Sequence, residues 1–149
     1  MRLLLAIAAL LTATPAFAAD WILATLAKDN SSAMFVDRDS VETLGDGHIR
    51  AWVFYAFAQD QEGGVAGISM QQEYDCAARR HRRLFIRSHR ASGAVGVEGE
   101  FVTEWMDNRP GDQGGLMLDF ICANDALKPE AVSIGDEMPL TYSRRELFK

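Results

Sequence analysis

The sequence has only two cysteines, four prolines and three histidines in 149 residues. Two cysteines exclude a disulfide-dense scaffold and any four-cysteine zinc or iron–sulfur site. After residue 18 no apolar run approaches the roughly 20 residues of a spanning helix, so the mature chain is not expected to cross a membrane. An excess of positive charge is missing as well. Fifteen basic against 21 acidic side chains give a formal charge of −6, which argues against nucleic acid as a partner. Catalytic signatures are absent: there is no G-x-S-x-G, S-x-x-K, H-E-x-x-H or Walker loop. The chain therefore reads as non-enzymatic, and its length fits one domain.

Metal and cofactor patterns are equally thin. Asp37-Arg38-Asp39-Ser40-Val41-Glu42 opens like a calcium loop, but Val41 occupies a ligand position and the turn glycine is missing. It reads as an acidic turn. His81 and His89 are eight residues apart on one strand, about 26 Å if extended, too far to share an ion. Glu98 and Glu100 beside a glycine loop read as exposed acids. No cofactor and no metal site is expected.

What is present begins at the N-terminus. Arg2, the nine apolar residues Leu3 to Leu11, the helix breaker Pro15 and the exit Ala16-Phe17-Ala18 make a secretory signal over residues 1–18. Nine helical residues cover about 14 Å of a hydrocarbon core about 30 Å thick, so cleavage rather than anchoring is expected. The mature chain, 19–149, then has 131 residues and a charge of −7. Export favours a structural bridge between Cys76 and Cys122, since neither lies in a C-x-x-C redox motif.

Strands are expected at Trp21 to Leu26, Ala33 to Val36, His48 to Ala58, Ile68 to Cys76, Arg80 to His89 and Glu100 to Trp105. Gly45-Asp46-Gly47 should reverse the chain, and Gln59 to Gly67 reads as a loop. The stretch Ala51 to Phe57 is apolar on both faces, which marks a central strand. A helix capped by Asp112 should run to about Asn124, apolar nearly all round and packed on the sheet. Cys76 at a strand end and Cys122 on that helix would pin the two together. The last 25 residues are weakly patterned and read as an extension or a partly mobile tail.

One segment concentrates charge. Arg79 to Arg90 holds six arginines and two histidines without an acid, while the rest of the mature chain sums to −13. Strict alternation would place His81, Arg83, Phe85, Arg87 and His89 on one face, with Leu84 and Ile86 inward. Arg79, His81, Arg83, Arg87 and His89 are then candidates for meeting a protein or an acidic glycan. The competing reading is internal neutralisation, with Glu73 and Asp75 standing across from the arginines in a hairpin.

An ordered set of features also resembles a known family. These are Trp21, Val36-Asp37 with Asp39-Ser40-Val41 leading to Gly45, Trp52, Glu73-Tyr74-Asp75-Cys76 before the arginine run, Trp105, Pro110-Gly111-Asp112 and Cys122. Their order and spacing resemble the surface-adhesin protein E family of proteobacterial exported proteins. The resemblance implies an antiparallel sheet with a C-terminal helix held by a disulfide, and a non-enzymatic role among relatives that bind host matrix and serum proteins. The expected architecture is a single α+β domain over 19–124: about six antiparallel strands, one packed C-terminal helix and one disulfide. A C-terminal extension follows at 125–149. The expected role is an exported interaction protein, periplasmic or at the cell surface. The alternative is a periplasmic small-molecule or haem-binding protein.

Overall fold

Alternating apolar stretches pair into one antiparallel sheet in the computed structural model, which describes residues 19–149. The expected signal segment lies outside the described residues. The strands are β1 (Trp21–Leu26), β2 (Ser32–Asp37), β3 (Glu42–Thr43), β4 (Ile49–Gln61), β5 (Val65–Asp75), β6 (Arg80–His89), β7 (Val95–Glu100) and β8 (Met106–Asp107). They lie in the order β1-β2-β4-β5-β6-β7, with β3 beside β4 and β8 beside β6.

The two-faced apolar strand β4 is central, as its composition requires. Ile49, Ala51 and Val53 join Ile22, Met34, Val36, Met70 and Tyr74 on the front face. Met117, Leu118 and Ile121 of α1 (Gln113–Cys122) cover them. Asp112 caps α1 by accepting the Gly115 N–H at 3.0 Å, and Gly115 has no substitute there because a Cβ would lie 2.0 Å from the Arg109 carbonyl oxygen. The expected bridge is present: Cys76, just past β5, joins Cys122 with their Cα atoms 5.7 Å apart.

Three expectations are corrected. The loop expected over Gln59 to Gly67 is mostly strand, because Gly63 and Gly64 adopt φ of +72° and +73° and turn the chain within three residues. The last long strand runs over Val95–Glu100 rather than Glu100 to Trp105. It is an edge strand, so its glycines are tolerated and its residues are mostly exposed without the alternation that marks a half-buried strand. The third concerns the last 25 residues: of the two readings, an extension or a partly mobile tail, the second is corrected, because the segment packs on the sheet. Residues 132–135 line the outer edge of β1, with the Trp21 and Leu23 N–H groups donating to the Gly135 and Val132 carbonyls at 2.9 and 3.0 Å. The short helix α2 (Pro139–Tyr142) and a following turn then cross the back face of the sheet. There Leu140 is buried on Ala33, Phe35, Phe54 and Ala56, with Ile134, Tyr142, Leu147 and Phe148 around it.

Candidate functional site

The back face divides into three zones, each set by cross-strand register. In the first, Phe35 pairs with Phe54 and both are covered by the tail. In the other two, the chain supplies no such cover from the tail.

The charged zone is a ladder of alternating sign. Glu42 stands opposite Arg50, Arg50 opposite Glu73, and Glu73 opposite Arg82. One step along, Asp75 faces Arg80 and Arg80 faces Asp107. Glu73 is buried, and its Oε2 accepts from Arg82 Nη2 at 2.9 Å and Nε at 3.2 Å. Its Oε1 lies 2.9 Å from His48 Nδ1. Burial pushes the Glu73 carboxyl up, but the hydrogen bonds and charges of Arg82 and His48 outweigh it and hold the group below the usual range. Trp105 lies over this zone, with the Arg80 and Arg82 guanidinium carbons 4.9 and 4.8 Å from its ring centroid. Asp46, His48 and Glu73 bring ligand atoms within 4.8 Å of one another. Both Glu73 oxygens are already engaged, one by a guanidinium that would repel a cation. The cluster is therefore an internal ion network.

The middle zone is different. Trp21 pairs with Asp37. Val36 pairs with Val53, which brings Asp37 level with Trp52. Trp52 then faces Gln71, and Gln71 faces Phe85. One rung thus alternates aromatic and hydrogen-bonding side chains across five strands. Trp52 and Phe85 meet edge to face at 5.7 Å, and Trp21 meets Phe54 likewise at 5.9 Å. On the next rung Ser69 faces Arg87. Trp21, Asp37, Trp52, Ser69 and Arg87 line a cleft of about 210 Å³.

Polar groups converge on that cleft. Asp37 Oδ1 accepts from the Asp20 and Asp39 N–H groups at 3.1 and 3.2 Å, and burial raises the carboxyl above its usual range. Arg87 is held by Glu98 through Nε and Nη2 at 2.9 and 3.2 Å. Among the described residues, Asp37 Oδ2 accepts no hydrogen bond and Arg87 Nη1 donates none. Ser69 Oγ lies 2.9 Å from His89 Nε2. His89 Nδ1 has no partner among the described residues, so no acid orients the ring as nucleophilic activation requires.

The sequence-selected basic residues do not share one face, which corrects the expectation from strict alternation. Gln71 pairs with Phe85 but Gln72 pairs with Arg83, so Leu84 is an extra residue that reverses the parity of β6. His81 and Arg83 therefore lie on the front face. His81 stacks on Tyr74 at 6.0 Å and meets Asn108 Nδ2 at 2.9 Å. Arg87 and His89 lie on the back, where His89 is buried. Arg79 sits in the β5–β6 turn and pairs with Asp119 of α1 at 2.7 Å. Glu73 and Asp75 do stand across from arginines, but from Arg82 and Arg80. Of the five selected residues only Arg87 reaches the open cleft. Trp21, Asp37, Trp52, Ser69 and Phe85 escape sequence reasoning as a site because register alone unites them. The one available signal is the pair of tryptophans on strands that flank β2.

Comparison with known proteins places most of the chain in a family. The profile of the family described as Surface-adhesin protein E covers residues 21–123, which includes the whole cleft and excludes α2. No curated protein matches the chain, and no solved structure does.

Proposed function

We propose that this chain, which belongs to the surface-adhesin protein E family, is an exported, non-enzymatic interaction protein that holds a host matrix or serum protein on the open part of its back face. Its working place is the periplasm or the cell surface, reached through the N-terminal signal segment. The observation that carries this reading is the division of that face. The tail buries the Phe35–Phe54 zone, while Trp52, Phe85 and Arg87 stay partly exposed beside it. Tryptophan and arginine dominate the residues on which interfaces depend, and aromatics are enriched at interface centres. The arginines at the charged end are already matched by acids, which favours a mixed aromatic and polar partner surface over a purely anionic one.

The test is surface-immobilised binding of the mature protein to a panel of extracellular-matrix and serum proteins. Trp52→Ala with Arg87→Ala should weaken a bound partner by about tenfold or more, while Lys128→Ala at the β1 edge leaves it unchanged. Equal affinity in the double variant, or no binding across the panel, overturns the proposal.

A further inference from the structure

We infer that the cleft between Trp21 and Trp52 is a subsite for one pyranose ring of a glycan. The inference rests on the open back face being the binding surface, and it names the chemistry that surface selects.

Trp21 and Trp52 stand on β1 and β4, with β2 between them. Two strand spacings separate their backbones by about 9.6 Å, and both indoles line the cleft. Each indole is braced by a perpendicular neighbour, Phe54 or Phe85, so little order has to be imposed on binding. The volume of about 210 Å³ suits one sugar and not an extended cofactor.

The polar lining narrows the class. An apolar ligand would strip water from Asp37 Oδ2, Arg87 Nη1 and the Ser69 hydroxyl without replacing its hydrogen bonds, a costly exchange. A phosphate or sulfate would face the Asp37 carboxylate, and a cation would face Arg87. A neutral polyhydroxylated ring avoids all three penalties. Its C–H face packs on an indole, and its hydroxyl groups donate to Asp37 and accept from Arg87. Such a site disfavours analogues lacking the matched hydroxyl, because the Asp37 acceptor then loses its water without gaining a partner.

The experiment uses the mature, oxidised protein, with tryptophan fluorescence followed during titration with methyl glucoside, galactoside, mannoside and N-acetylglucosaminide. A glycan array of host and bacterial-surface structures runs in parallel. At least one glycan should bind saturably. Asp37→Asn keeps the Oδ1 acceptor for both backbone N–H groups, so the fold is retained, yet it turns the free acceptor into a donor. Binding should weaken by about tenfold or more, and Trp52→Leu should abolish it. Failure of every glycan to bind, or wild-type binding by Asp37→Asn, overturns the inference. Enzymatic deglycosylation of a captured host protein separates the two readings. Undiminished protein binding without any glycan binding sinks the sugar subsite alone. Glycan binding with no protein partner sinks the proposed function and leaves the subsite standing.

Discussion

Glu73 and Arg82 face each other across β5 and β6, and the 2% exposed carboxylate takes two hydrogen bonds from that one guanidinium. Removing the cation leaves a buried carboxylate whose remaining hydrogen-bond partner is His48. Arg82→Ala should therefore lower stability by about 3 kcal/mol in urea titration, near the lower end for a broken buried pair. Replacing both partners, as Glu73→Leu with Arg82→Leu, should cost much less than the single change. A single-variant loss below about 1 kcal/mol would show that water takes the place of Arg82.

Acid should destabilise the protein in two stages. Burial first, and then the charges of Arg87 and Arg83 respectively, hold His89 and His81 below the usual histidine range. The unfolded chain binds protons near pH 6.5 that the folded chain refuses, so stability falls as pH drops from about 6.5 toward the folded values. Glu73 is lowered as described above, and Asp75 is lowered by the Ala78 N–H and by Arg80. Their contribution is present above the unfolded carboxylate range near pH 4 and disappears as pH falls through the folded values. Urea midpoints measured from pH 7.5 to 3.5 should decline, less steeply where Asp37, held above the usual carboxylate range by burial, takes up its proton and offsets part of the loss. His81→Gln with His89→Gln should flatten only the upper part. A midpoint that rises between pH 7 and 5.5 contradicts this.

The Cys76–Cys122 bridge closes a loop spanning 46 positions between the end of β5 and the last turn of α1. In the chain-entropy account such a loop contributes about 4 kcal/mol. Reduction, or Cys76→Ala with Cys122→Ala, should lower stability by that order. Protein made in an oxidising compartment should resist alkylation when denatured without reductant, and free thiols would refute the bridge.

The tail is part of the core. Leu140 is 2% exposed on the Phe35–Phe54 zone, so Leu140→Ala should cost about 2–4 kcal/mol. Ending the chain at residue 136 should uncover Phe35 and Phe54 and produce strong binding of an apolar fluorescent dye. A truncated protein as stable and as dye-silent as the full chain would remove the tail from the fold.

Much of this was legible because local pattern and final structure agree. β1 and β6 run where their periodicity places them, Asp112 caps α1, and Cys76 and Cys122 meet. The open cleft was not legible. Its residues come from separate strands, and cross-strand register alone unites them. The split of the basic strand was hidden too, because it depends on the extra residue Leu84, and a bulge belongs to the pairing of two strands rather than to the pattern of one. The arginine run suggested a single basic face, yet that one residue sends His81 and Arg83 to the front and leaves Arg87 behind. The tail escaped for another reason. Ile134, Leu140, Tyr142, Leu147 and Phe148 come from a bridge, a short helix and a wider turn, so no single period connects them.

The two rims of the sheet are unequal. Residues 132–135 occupy the amides of Trp21 and Leu23 on the β1 rim, while β7 leaves Val95 and Val97 in solvent, Val97 at 74% exposure. Growth by strand addition has one open end and one closed end. Among the described residues, an added strand finds unpaired backbone along β7 alone, so the tail's hold on β1 halves the edge open to such pairing.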